Sequence, residues 1–181
     1  ELYLVDTIEK ISEEDKKRYW KNEGLAKFVE LLRLTTDNLE ELADNFISNL
    51  VKYLQANQGA VFVVEKDESK DTDYLELIAA YAYNKKKYIE KRLESGQGLV
   101  GRAWREANKI YMTDIPHEYI QIRSGLGGAN PSSLLIIPLK NAGEVYGVVE
   151  IASFNPILDY QIEFVEQIAE NMAATIASVR V

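Results

Sequence analysis

Few residues in this 181-residue chain could carry chemistry, and their types exclude more than they admit. There is no cysteine. That removes disulfides, thiolate metal sites, thiol nucleophiles and a chromophore attached through sulfur. His117 is the single histidine, so a zinc site of the usual His/Cys kind and a Ser-His-Asp triad at any other position are both excluded by counting. It follows Pro116 and precedes Glu118. An axial haem ligand or a proton carrier is the sharper reading; a surface histidine is favoured, because neither a second ligand nor a base partner is evident.

Gly96-Gln97-Gly98-Leu99-Val100-Gly101 matches G-x-G-x-x-G and leads into a helix, where a phosphate could sit. No βαβ crossover surrounds it and no acidic residue ends a following parallel strand. The glycines are therefore taken as devices for a tight turn and close helix-to-sheet packing. Asp114 could bind a polar ligand group or cap the turn made by Ile115-Pro116-His117, the cap being favoured. Glu150 stands in the apolar run Val145 to Ser153, and alternation puts it on one face with Tyr146, Val148 and Ala152. A carboxylate there is costly if buried unpaired. It could anchor a ligand cation, pair with Arg102 or Arg123, or lie on a solvated edge, and the last two are favoured. Tyr81, Tyr83, Tyr111 and Tyr119, with Trp104, could line an amphipathic pocket, although at least half of the eleven tyrosines are expected to pack in the core with the hydroxyl at the surface.

The elements that must position these residues follow from pattern. Residues 7 to 34 suggest a helix opened by Ser12 and the acids Glu13, Glu14 and Asp15. Trp20, Leu25, Phe28, Val29, Leu32 and Leu34 form its stripe, with a possible kink at Gly24. It either pairs with a second copy of itself or packs on its own domain. Asp37 three residues before Glu40 resembles a capping box. Leu39, Leu42, Phe46, Leu50 and Tyr53 then recur at helical spacing, and Asn57 or Gly59 closes that helix. Ala60 to Val64 and Tyr74 to Tyr83 read as a hairpin with a charged tip. Leu99 to Ala107 is a short helix, with Val100, Ala103 and Trp104 on one side. Ile110 to Thr113 is a short strand. Asp114 to Asn130 is an irregular connection, long enough to be functional or mobile. Leu134 to Leu139 and Val145 to Ser153 form a hairpin about Asn141-Ala142-Gly143-Glu144. Asp159 to Val181 is a helix whose alanines let another helix approach closely. This order predicts a three-layer α+β domain: an antiparallel sheet, the long helices on one face, and the short helix and long loop on the other.

Composition narrows the classes further. The net charge of −8 disfavours broad binding to a phosphate backbone. Lys16-Lys17-Arg18 and Lys85-Lys86-Lys87 sit among carboxylates and read as solvated faces. No apolar run approaches the ~18 residues of a membrane span, and no signal peptide is visible. The first residue is Glu rather than Met, so the chain is expected to be part of something longer.

With those residues in place, Leu39 to Arg180 resembles a GAF domain. The resemblance rests on Gly59-Ala60-Val61-Phe62, on Gly96 to Gly101, on Thr113-Asp114-Ile115-Pro116, on Leu134 to Leu139, on Gly147-Val148-Val149-Glu150-Ile151-Ala152-Ser153, and on the alanine-rich last helix. Trp20 to Phe28 is similar to the linker before GAF domains in some bacterial membrane-receptor and kinase-type signalling proteins. The resemblance implies a five- or six-stranded antiparallel sheet with a small-molecule pocket on one face and the first and last helices on the other. Those helices often dimerise and run into neighbouring domains.

Departures from the family matter as well. Cyclic-nucleotide GAF domains carry an Asn-Lys, a later Phe and an Asp-Glu. Asn108-Lys109 and Phe154 are present here, but Leu158-Asp159 stands in place of the acidic pair, which argues against a cyclic nucleotide. Bilin-binding relatives share Asp-Ile-Pro, matched by Asp114-Ile115-Pro116, but the covalent types need a cysteine. A branch that reduces free methionine sulfoxide also uses cysteines.

The expectation is a linker helix over residues 1–36 and a GAF domain over residues 37–181. Together they would form a non-enzymatic, small-molecule-sensing regulatory domain of a bacterial signalling protein, such as a two-component system. The alternative is a ligand-free dimerisation and relay module. The candidate ligand-binding residues are Phe62, Tyr81, Tyr83, Trp104, Tyr111, Asp114, Tyr119, Ile120, Leu135 and Glu150. No metal or covalent chromophore is expected. The expected partners are an unidentified small molecule, a second copy through the terminal helices, and neighbouring signalling domains, with neither nucleic acid nor direct membrane contact. The expected location is cytoplasmic, or the cytoplasmic part of a membrane-anchored protein.

Overall fold

The computed structural model describes residues 2–34, 38–81, 92–116, 119, 122–124 and 127–180. The elements in chain order are α1 (Leu2–Arg33), α2 (Leu39–Leu54), β1 (Gln58–Asp67), β2 (Thr72–Tyr81), β3 (Arg92–Leu93), α3 (Gly98–Glu106), β4 (Ile110–Met112), β5 (Ile122–Ser124), β6 (Gly127–Ala129), β7 (Ser133–Asn141), β8 (Glu144–Ser153) and α4 (Asp159–Val179). Six strands form one sheet in the order β3-β2-β1-β8-β7-β4, and every pairing described within it is antiparallel. The connection expected to be irregular after Asp114 contains a small second sheet, the hairpin of β5 and β6.

The two faces of the large sheet carry separate cores. Val61 and Val63 of β1, Leu135, Ile137 and Leu139 of β7, and Val149 and Ile151 of β8 meet α1, α2 and α4 on one face. Ala60 and Phe62, Leu134 and Ile136, and Val148 and Ala152 point the other way, onto Val100 and Ala103 of α3. This is the period-two alternation of a sheet covered on both sides.

Two irregularities interrupt that alternation. The β1–β2 register shifts between Val61 and Phe62, where Val61 opposes Ala79 and Phe62 opposes Leu77, leaving Ile78 as an extra residue. The β7–β8 register shifts between Leu139 and Lys140, leaving Tyr146 extra. Each bulge changes the parity of the strand beyond it. Leu75 and Leu77 therefore face α3, whereas Ala79 and Tyr81 face the long helices. Tyr146 also lies with the long helices, not on the face of Glu150 that simple alternation predicts.

The helix ends differ from expectation in a consistent way. Asn38 caps α2, its side-chain oxygen accepting from the Glu41 amide at 3.1 Å; Asp37 lies outside the described residues. Gln55, with φ of 56°, closes α2 in place of Asn57 or Gly59, and its amide donates to the carbonyls of Lys52 and Val51. Asn57 instead ties the helix end to β8: its side-chain oxygen accepts from the Phe154 amide at 2.9 Å. Gly24 does not break α1, which is continuous. A Cβ there would fall 2.6 Å from Phe164 Cε1 and 2.7 Å from Tyr53 Cε2, so the glycine marks the point where α1 crosses α2 and α4 most closely.

An aromatic cluster fills that crossing. Phe28, Phe46 and Phe164 are fully buried. Trp20 meets Phe164 with ring centroids 4.9 Å apart and Tyr160 at 5.3 Å, both edge-on. Phe28 meets Phe46 at 5.7 Å and Phe164 at 5.9 Å. The Tyr53 hydroxyl donates to the Trp20 carbonyl. Contacts thus move from Lys17 with Tyr160, through Trp20, to Phe28 with Phe164, so α1 and α4 run in the same sense. The first half of α1 lies beyond the start of α4. There Tyr3, Leu4, Val5 and Ile8 are all at least half exposed.

Candidate functional site

The sheet face covered by α3, with Ile115 and Tyr119 packed against it, holds the one acidic side chain buried among the described residues, Glu150, which is 3% exposed. It sits mid-strand in β8, opposite Ala60 of β1 and Ile136 of β7, both fully buried. The Tyr119 hydroxyl reaches it from the connecting segment and donates to Glu150 Oε2 at 2.5 Å. Burial pushes the Glu150 carboxyl up to about 7, against the opposing pull of the Tyr119 hydrogen bond. Neither a solvated edge nor a pair with Arg102 accounts for it. Arg102 faces Glu106 at 3.9 Å instead, and the Arg123 side chain lies outside the described residues.

Around this carboxyl the surface is apolar. Phe62, Val100, Ile110, Leu134 and Val148 form the buried floor, with Trp104, Met112, Ile115 and Tyr119 packed against it and half-buried. Among the ten candidate residues, Phe62, Trp104, Tyr119 and Glu150 are brought together here. Tyr81, Tyr111 and Leu135 are on the opposite face, with the long helices. Tyr81 is carried there by the β2 bulge. Tyr111 serves a structural role, its hydroxyl accepting from the Ile157 amide at 3.2 Å and fastening β4 to the approach to α4. Asp114 is exposed. Tyr83 and Ile120 lie outside the described residues, as does His117. Sequence reasoning missed Leu134, Ile136 and Val148: alternation from Glu150 reaches Val148, but Leu134 and Ile136 follow only from the register beyond the β7–β8 bulge, since a regular hairpin about residues 141–144 would set Leu135 opposite Glu150.

The glycine motif behaves as a packing device. Gly96 and Gly98 take φ of 81° and 67°, a region that glycine enters without strain. The Gly96 amide donates to the Gly101 carbonyl at 3.1 Å, Gly101 donates to Gln97 at 3.0 Å, and Gln97 donates to Glu94 at 3.0 Å. Those three amides are thus engaged within the turn. A Cβ on Gly101 would approach the Glu94 carbonyl oxygen to 2.8 Å. Among the described residues no group of three His, Cys, Asp or Glu side chains could hold a metal ion, and no helix is long and apolar enough to cross a membrane.

A six-stranded antiparallel sheet with helices on both faces defines an α+β fold of the GAF type. The GAF domain family model matches residues 36–177, most of the chain, and the chain belongs to that family. Solved structures share the fold. The GAF domain of a phosphoenolpyruvate-protein phosphotransferase from Coxiella burnetii is 24% identical, with a TM-score of 0.71 over 88% of this chain and 94% of that one. A GAF domain from A. aeolicus in an inactive state is 17% identical, with a TM-score of 0.68 over 91% and 99%. The free methionine-R-sulfoxide reductase of Neisseria meningitidis, solved with its substrate, is 15% identical, with a TM-score of 0.67 over 88% and 90%. No curated protein matched the sequence significantly.

Proposed function

We propose that the chain is a non-enzymatic sensory domain of a bacterial signalling protein, which binds a small molecule on the α3 face and passes its state to the terminal helices. The observation that carries this is the dual role of β8. Val148, Glu150 and Ala152 belong to the candidate ligand face, whereas Val149 and Ile151 pack under α1, α2 and α4. One backbone therefore serves both cores, and a ligand that prefers one placement of β8 would bias the helices as well. Some structural neighbours are reductases, but this chain has no cysteine and one histidine. That inventory speaks against thiol chemistry and supports a regulatory role.

A metabolite bound at about a hundred times its Kd should stabilise the fold by roughly 2.7 kcal/mol, equivalent to about 8 °C in Tm for a domain of this size. It should also change amide exchange in α1 and α4. A broad metabolite panel that moves neither Tm nor helix exchange would remove the ligand half of the proposal.

A second reading, self-association through α1, has its own observation. Along the first four turns of the helix most described side chains are exposed, among them the apolar Tyr3, Leu4, Val5 and Ile8. Intrahelical pairs such as Glu13 with Lys16 and Asp15 with Arg18 add only a few tenths of a kcal/mol each, and an isolated helix of this length is marginal in water. A second copy aligned along Leu4 and Ile8 would cover the apolar positions. Sedimentation equilibrium should then find a dimer, and the double variant Leu4→Glu, Ile8→Glu should shift it to monomer with unchanged unfolding of the sheet. A parent chain that stays monomeric at high micromolar concentration would count against this reading.

A further inference from the structure

We infer that the Glu150 face takes a small ligand carrying a cationic nitrogen on an apolar body, with the Glu150 carboxylate as its anchor. The inference rests on the ligand-sensing reading above and adds the chemical class of the ligand.

Glu150 is almost fully buried, and its cross-strand and same-face neighbours are Ala60, Ile136, Val148 and Ala152. Among the described residues its one hydrogen-bond partner is the Tyr119 hydroxyl, on Oε2, which leaves Oε1 for a second donor. No described basic side chain pairs with Glu150, and three that belong to α3 and β7 or follow α3 bond elsewhere. Arg102 faces Glu106, Lys109 binds Glu166 at 2.9 Å, and Lys140 donates to the Ala107 carbonyl at 2.9 Å. Arg105 and Asp114 are exposed.

An apolar residue in that position would pack without penalty, whereas a lone carboxylate in such surroundings is costly. A ligand ammonium or guanidinium would complete the pair, and its proton donors suit the free oxygen. Phe62 and Trp104 belong to the same cluster, and aromatic rings suit a cation better than an anion. A phosphate or carboxylate ligand would meet the like charge of Glu150. On binding, the ligand nitrogen keeps its proton. The carboxyl proton of the empty site leaves to solvent.

Chemical-shift titration of the whole chain with n-butylammonium, n-butylguanidinium, n-butanol and n-butyrate tests this. The two cations should move the amide signals of β8 and α3, and the alcohol and the carboxylate should not. Glu150→Gln, nearly isosteric, should weaken cation binding at least tenfold, while Glu144→Gln, at the exposed end of the same strand, should leave it unchanged. Binding should also be about tenfold weaker at pH 6 than at pH 8, because the carboxyl must first lose its proton. Butyrate or butanol binding as tightly as the cations, or full affinity in Glu150→Gln, would overturn the cationic assignment but leave the sensing face intact. Failure of both cations to bind would overturn it as well. If no probe of any charge reaches this face, the ligand-sensing reading loses its support too.

Discussion

Phe164→Ala should lower the free energy of unfolding by about 4 kcal/mol, a large fraction of the ~5–15 kcal/mol that holds an ordinary domain. The ring is fully buried at the crossing of three helices. It touches Trp20, Phe28 and Tyr53 at centroid distances of 4.9, 5.9 and 5.4 Å. It also fills the space that Gly24 leaves by having no side chain. Truncation would remove the ring's transfer energy and leave a cavity that two helices cannot both close. Trp20 would still meet the Tyr160 ring edge-on at 5.3 Å, but the charged ties between α1 and α4 are weak by comparison. Lys21 reaches Glu163 at 4.0 Å across a largely exposed pair, worth at most about 1 kcal/mol, and Lys17 sits 5.6 Å over the Tyr160 ring. The loss should therefore appear in two places: a lower urea midpoint for the whole domain, and faster amide exchange in α1 from Trp20 onward. A loss under about 1.5 kcal/mol, well below the usual range for a buried phenylalanine, would mean that α1 is not docked through this cluster.

The same cluster shows what a sequence can and cannot disclose. Leu42, Phe46 and Leu50 recur at helical spacing, and all three are buried in α2. The turn at Ala142 and Gly143 was legible too, since both residues take positive φ and the dipeptide suits a two-residue hairpin. Gly24 was misleading because a glycine inside a helix suggests a break, whereas here the missing side chain lets aromatic rings approach. Leu135 was named for the ligand face but packs under the long helices, for a different reason. Seven consecutive residues of β7 are buried, so hydrophobicity has no alternation from which to tell one face from the other. Tyr81 and Tyr146 were placed on the wrong side because each lies at or beyond a bulge, and a bulge arises from how two strands pair, not from either strand alone. Glu150 was assigned to the correct side because no irregularity separates it from Val148 and Ala152. Its hydrogen bond to Tyr119 joins residues 31 apart, and no local pattern announces it.

Stability should fall as pH rises from about 4.5 to 7, and Glu150→Gln should abolish that component. Burial raises the folded-state value of Glu150 from 4.5 to about 7. Below 4.5 the group is protonated in both folded and unfolded chains, and its contribution to stability is fully present. Between 4.5 and 7 the unfolded chain gives up its proton while the folded one keeps it, so unfolding becomes steadily easier. Above 7 both states are ionised and the loss levels off, at about 3 kcal/mol in total. Asp67 works in the opposite sense and in another window. Hydrogen bonds from Arg92 and Ser69 hold it down at about 2, so its contribution is present above 3.8 and is lost only in acid. The general repulsion of a chain with net charge −8 grows over the same range as the Glu150 effect, which makes the difference between parent and Glu150→Gln the useful quantity. The two proteins should be nearly equal in urea midpoint at pH 4.5, and the glutamine variant should be clearly the more stable at pH 8. Parallel profiles would show that the carboxyl is not buried in the folded chain. If the profiles diverge as expected, the empty domain near neutral pH holds a carboxyl poised between its two charge states, and a bound cation would complete the ionisation that burial resists.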